Sequence, residues 1–216
     1  MIKAKNMEQG LVEINRTAPA WNEIADPSGA KISGRDEFEY LLVIHPDMEV
    51  YSKVIAEKQR FHEQYRAKAG SRAKPHITVA SFIAKESMEE TLIRWIQRVC
   101  SGQKSFTVTL NNYSGIPPHT VYLRVQNHLP FNLLTQKLRV INEYVQSNGC
   151  PPVKWASRPH LSISGRLPEE VYEQAMREYA QKIFCETFTA GELVLLRRNH
   201  AADSCKIINI FGLLPE

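Results

Sequence analysis

The hydrophobic positions of this chain recur in two rhythms, one of two residues and one of between three and four, which are the signatures of strand and helix. Residues 1 to 36 keep neither rhythm and collect Pro19, Pro27, Gly29 and Gly34, so they are expected to form an irregular arm with at most a short turn of helix. Phe38 to His45 is an apolar run suited to a buried strand, stopped at His45-Pro46, with Asp47 placed to cap a helix. That helix is predicted to run to about Lys68, with Tyr51, Val54, Ile55, Phe61 and Tyr65 along one side. A basic loop over 66 to 74 then leads into a strand over 75 to 83.

Ser87, with Glu90 at the capping-box position, predicts a helix to about Cys100 that buries Met88, Leu92, Ile96 and Val99 and ends at Gly102. Phe106 to Tyr113 alternates Phe106, Val108 and Leu110 with Thr107 and Thr109, the pattern of a strand with one face on a core. Gly115-Ile116-Pro117-Pro118 is expected to break the chain before a strand from His119 to Val125. Pro130 opens a helical segment with Leu134, Leu138, Ile141 and Val145 in register, closed by Gly149. A strand from 159 to about 166 follows, then a helix opened by Pro168 that carries Tyr172, Ala175, Met176 and Tyr179 on one side. Two long strands, Phe184 to Arg197 and Lys206 to Leu213, finish the chain as a hairpin joined by residues 198 to 204.

The order strand, helix, strand, helix, strand thus occurs twice. A shared string sits at the same place in each copy: Lys74-Pro75-His76-Ile77-Thr78-Val79-Ala80 and Arg158-Pro159-His160-Leu161-Ser162-Ile163-Ser164. Such a duplication implies two similar lobes related by a pseudo-twofold axis, with equivalent strands facing each other. Side chains alternate across a strand, so His76 and Thr78 share one face and Ile77 and Val79 the other, as do His160 and Ser162 against Leu161 and Ile163.

A bare His-x-Ser/Thr means little; the longer string, its context and its recurrence carry the signal. None of His45, His62, His119, His128 and His200 repeats that context, and each is read as a surface or core-edge residue. Two imidazoles facing one cleft suit in-line displacement at phosphorus, one taking a proton from the attacking oxygen and the other giving one to the leaving oxygen. Thr78 and Ser162 are placed to hydrogen-bond the non-bridging phosphoryl oxygens. This chemistry calls for no metal and no cofactor.

With these two motifs the chain resembles the two-histidine (2H) phosphoesterases, which include RNA 2',3'-cyclic phosphodiesterases and the bacterial proteins called 2'-5' RNA ligases. The resemblance spans about residues 37 to 214 and leaves the arm outside. It implies an α+β, bilobal fold with antiparallel sheets lining a central cleft and helices outside, residues 37–216 forming one domain of interleaved lobes. It also implies that His76 and His160 are catalytic and that Thr78 and Ser162 bind phosphate. Motif two has Ser where many members have Thr, which keeps the hydroxyl. No run of arginines or stacking aromatics marks an RNA groove. Tyr122 and Arg124 share a strand face and either reach the cleft or coat the sheet. Lys74 and Arg158 either attract phosphate or are solvated charge.

Composition adds limits. The net charge of +4 permits an anionic substrate without a dedicated nucleic-acid coat, although Lys68, Arg72 and Lys74 precede the first motif and Lys154, Arg158 and Arg166 flank the second. Cys100, Cys150, Cys185 and Cys205 lie far apart and form no metal or disulfide pattern, so buried free thiols are expected. No apolar stretch is long enough to span a membrane and no signal-like start is evident, giving the expectation of a cytoplasmic protein with no membrane association and no obligate protein partner. The reading is of a metal-independent phosphodiesterase acting on a 2',3'-cyclic phosphate or a related nucleotide or RNA end. The alternatives are a module that binds such ends without turnover, and 2'-5' RNA ligase activity from the same site.

Overall fold

The computed structural model describes residues 36–66, 73–199 and 203–216. The expected arm, the basic positions Lys68 and Arg72, His200 and the middle of the final hairpin loop lie outside these residues.

Among the described residues, nine strands form one antiparallel sheet: β1 (Glu37–Ile44), β2 (Ile77–Lys85), β3 (Phe106–Ile116), β4 (Thr120–Val125), β5 (Lys154–Trp155), β6 (His160–Ser164), β7 (Cys185–Ala190), β8 (Glu192–Arg198) and β9 (Lys206–Gly212). Five helices accompany them: α1 (Met48–Tyr65), α2 (Glu89–Cys100), α3 (Leu129–Leu138), α4 (Val140–Ser147) and α5 (Glu169–Tyr179). The α+β class is as expected. Asp47 caps α1 by accepting from the Val50 amide at 2.9 Å.

Strand alternation sends one set of side chains into a single core. Tyr40, Leu42 and Ile44 of β1, Ile77 of β2, Leu123 of β4 and Leu161 of β6 are all fully buried there with Val54 and Phe61 of α1, Leu92 and Ile96 of α2, and Tyr179 of α5. Each such side chain contributes about 1.5–3 kcal/mol of burial. The opposite face of β1 and β8 carries a separate small cluster, Leu41, Val43, Val194 and Leu196.

The strand order is β7-β3-β4-β6-β2-β1-β8-β9, with β5 pairing beside β6 on β2. The two motif strands, β2 and β6, are hydrogen-bonded neighbours at the middle of this path, with four strands in each half. Equivalent strands therefore lie side by side in one sheet, where the duplication had suggested strands facing one another.

The last part of the chain corrects a second expectation. In place of one strand from Phe184 to Arg197, the run divides at Gly191 into β7, which pairs with β3 at one end of the path, and β8, which pairs with β1 near the other. One residue cannot span an open sheet, so the sheet curls until its ends meet. Hydrogen bonds from the Leu213 amide to the Gly191 carbonyl (2.8 Å) and from the Ser105 amide to the Leu214 carbonyl (2.6 Å) tie those ends together.

Local boundaries also move. A 3₁₀ turn over Glu86–Met88 precedes α2, whose N-cap is Met88 without a side-chain cap, so the Ser87 capping box does not form. The segment after Pro130 is two helices broken at Arg139. Gly115 lies within β3 rather than ending it, because α5 packs against it there: a Cβ at this position would meet Met176 Sδ at 2.9 Å and the Tyr172 ring. Cys100 and Cys150 are buried free thiols, whereas Cys185 and Cys205 are exposed. Among the described residues no helix is long and apolar enough to cross a membrane.

Candidate active site

The two motifs adopt matching environments. Lys74 and Arg158 are exposed, Pro75 and Pro159 are buried, His76 and His160 are half-buried, and Ile77 and Leu161 are completely buried. Proline suits the entrance of each strand because it offers no amide to a ladder. Ile77 pairs with Leu161 across the β2–β6 junction, and in the antiparallel sense of that pair His76 stands toward Ser162 and Thr78 toward His160. All four lie on the face opposite the core. The sheet brings these four residues together side by side at this junction.

Each imidazole is held by a carbonyl two residues earlier. His76 Nδ1 is 2.7 Å from the Lys74 carbonyl and His160 Nδ1 is 3.0 Å from that of Arg158. A carbonyl only accepts, so both rings carry their proton on Nδ1 and, when neutral, present Nε2 as a base. Burial pushes the His76 imidazole down to about 4, helped by the positive neighbours His45, Lys58 and His160. Burial also lowers His160, against the hydrogen bond to the Arg158 carbonyl, which acts in the opposite sense.

Strand β4 completes this face. Tyr122 is the cross-strand partner of Ser162 and Arg124 that of His160. The Tyr122 ring lies 4.7 Å from the His160 ring, centroid to centroid, at a tilt of 50°. Arg124 is exposed, and its Nε donates to the Asn111 carbonyl at 3.1 Å. That carbonyl belongs to a break in the β3–β4 register between Leu110 and Tyr113, where Asn112 takes a φ of 56° and its Oδ1 accepts from the Phe184 amide. Tyr122 and Arg124 thus stand beside Ser162 and His160 on one sheet face. Lys74 and Arg158 flank the histidines as exposed residues at the strand entrances.

Two residues of this neighbourhood escaped the sequence reading. His45 follows β1, donates from Nδ1 to the Pro75 carbonyl at 2.8 Å, and sets its ring edge-on to His76 with centroids 6.2 Å apart. Lys58 projects from α1, is 4% exposed, and lines a small cavity with Lys74, His76, Ser162 and Gly165. Its signal was present: Lys58 stands on the Val54–Phe61–Tyr65 stripe, where a helix normally places apolar residues.

The family model of the 2'-5' RNA ligase superfamily matches residues 50–202, and the chain belongs to that superfamily. Among solved structures, Escherichia coli LigT complexed with 3'-AMP superposes with a TM-score of 0.62 at 16% identity, over 82% of this chain and 99% of LigT. The Thermus thermophilus protein TT0787 gives a TM-score of 0.63 at 14% identity, over 82% of this chain and 99% of its own. At such identities the likeness is one of fold. LigT has also been crystallised with phosphate, with ATP and with NADP+. No curated protein sequence is a significant match.

Proposed function

We propose that the protein is a phosphodiesterase that opens a 2',3'-cyclic phosphate, on a nucleotide or an RNA end, by two-histidine acid-base catalysis. The observation that carries this reading is the pairing of the two motifs across one strand junction, with both imidazoles locked in the same tautomer beside a hydroxyl. Membership of a superfamily of RNA ligases and phosphoesterases supports the reaction class.

In this mechanism a water oxygen attacks phosphorus while His76 Nε2 takes its proton. The bond from phosphorus to one ribose oxygen breaks, and the proton on His160 Nε2 passes to that oxygen, leaving a phosphomonoester and a free hydroxyl. His76 is assigned the base because Lys58 and His45 lie on its side and oppose its protonation. The proton carried away by His76 returns to His160 through solvent before the next turnover. Thr78 and Ser162 donate to non-bridging oxygens, where charge grows in the transition state. Tyr122 and Arg124 contact the nucleoside or phosphoryl side of the substrate from β4, and Lys74 and Arg158 draw the anion toward the strand entrances. Residues 37–216 act as one catalytic domain in the cytoplasm, a compartment that suits the exposed free thiols Cys185 and Cys205.

Hydrolysis of a 2',3'-cyclic mononucleotide in the presence of EDTA tests the proposal. His76→Ala and His160→Ala are each expected to lower kcat by roughly 10²–10⁴-fold, the usual worth of a positioned general acid or base. Tight binding of 2'- or 3'-nucleotides with no turnover by the native chain would instead identify a binding module. Formation of a 2'-5' linkage from RNA ends by the same chain would identify a ligase.

A further inference from the structure

Lysine is rarely buried without a partner for its charge, because an ammonium loses several kcal/mol of hydration there. Lys58 is 4% exposed, and no carboxylate within 4 Å pairs with it among the described residues. Glu57, its neighbour on α1, turns instead to Arg60 at 3.0 Å. The Lys58 ammonium donates to the Ala73 carbonyl at 2.7 Å, its one bond among the described residues for a group with three donors. It faces the cavity that His76, Ser162, Ser164 and Gly165 also line, where the chain before β2 and the end of β6 part beyond the Ile77–Leu161 pair. A cation from the helix layer thus lines the cavity beside the place where the two motifs meet.

We infer that Lys58 is a further substrate-binding residue of this site, its ammonium taking a non-bridging phosphoryl oxygen beside Ser162. This rests on the reading of His76 and His160 as a phosphoryl site, and it adds the counter-charge that Thr78 and Ser162, being neutral, do not supply. An incoming phosphoryl group gives the buried ammonium the anion and the acceptors it lacks. Burial alone pushes Lys58 down to about 8, so its charge, and with it the grip on the anion, is lost on the alkaline side of neutrality.

Sulfate is a suitable probe because it stays a dianion across the range and is not turned over. Its binding to the full chain is followed through the imidazole ¹⁵N signals of His76 and His160, so that only an anion between the motifs is counted. Wild-type affinity is expected to fall by roughly tenfold or more between pH 7 and 9.5, a midpoint near 8 allowing about one decade per pH unit beyond it. Lys58→Met is expected to bind sulfate at least roughly tenfold more weakly at pH 7. The residual affinity of that variant should change much less with pH. His76 and Lys74 line the same cavity, His45 and His160 act electrostatically on His76 beside it, and all four are present in both proteins, so the difference between them isolates Lys58. Equal affinity in the two proteins, no sulfate binding at all, or a wild-type affinity that is flat over this range would each overturn the assignment. The wild-type arm alone decides if the variant does not fold. A chain that shows the Lys58-dependent loss yet hydrolyses no cyclic phosphate refutes the phosphodiesterase reading and leaves the anion site standing.

Discussion

At the scale of the residue, the proposed acid-base chemistry rests on the half-buried setting of the two histidines and on the carbonyls that hold their Nδ1 atoms. Both imidazoles are lowered in the free protein. The proposed mechanism needs one ring neutral and one charged, so under it kcat/KM for a 2',3'-cyclic nucleotide is expected to be bell-shaped, with its centre on the acid side of 6.5. The limbs report the coupled pair rather than one ring each. A plateau extending from pH 7 to 9 would contradict this. Lys58 yields a second prediction, on stability. Its folded value of about 8 lies below the ordinary 10.5, so between those limits the unfolded chain binds more protons and stability rises with pH. Below 8 the buried charge costs its full penalty. Lys58→Met should therefore be more stable than wild type at pH 7 by about 1–2 kcal/mol, after allowing for the lost bond to Ala73. The gap should close as pH is raised to 10, and denaturant unfolding at the two pH values measures it. The histidines and hydroxyls were legible in the sequence because strand alternation fixes which side chains share a face. Lys58 was not, since a lysine on a helix is ordinarily solvated and only the position of the apolar stripe marked it as unusual.

At the scale of the element, periodicity located most helices and strands but not their partners. The run from Phe184 to Arg197 reads as one strand because every residue in it suits one. Only the curl of the sheet, which sends Cys185–Ala190 to β3 and Glu192–Arg198 to β1, divides it at Gly191. Gly115 was misread for a related reason. Beside Pro117 and Pro118 it looks like part of a turn, yet its work is to let α5 lie close on β3. Gly115→Ala is expected to push Tyr172 and Met176 off the strand and to destabilise the protein by about 1–3 kcal/mol, the usual cost of overpacking. Replacing Gly191, which has open space around its Cα, with Ala is the control and should cost well under 1 kcal/mol. Thermal or chemical unfolding of the pair decides whether Gly115 is a packing residue or a turn residue. The Asn111-Asn112 bulge that holds Arg124 belongs with these cases, since nothing in a strand's alternation announces where the ladder will slip.

At the scale of the molecule, the site is shared between two four-strand halves that meet at β2 and β6. Among the described residues this seam is narrow: Ile77 pairs with Leu161, and β5 adds Ala80 with Trp155 and Ser81 with Lys154, whereas β1 and β2 pair along their whole length. His76 and Thr78 come from one half, His160 and Ser162 from the other. Their spacing therefore depends on the seam more than on the stability of either half, and a catalytic site tolerates little misplacement. Leu161 and Leu195 are both completely buried, but Leu161 lies on the seam between the two motifs while Leu195 lies in β8, inside one half. Truncation of either to Ala should cost about 2–5 kcal/mol in unfolding free energy. If the halves meet only to bury surface, the two variants will show comparable losses of activity at a temperature where both remain folded. If the seam sets the distance between the imidazoles, Leu161→Ala will lose roughly tenfold or more in kcat beyond Leu195→Ala, with little change in KM, because the ground-state contacts survive while the transition-state geometry does not. The second outcome is expected, since in this fold the strand pair that joins the two halves is also the one that carries both motifs.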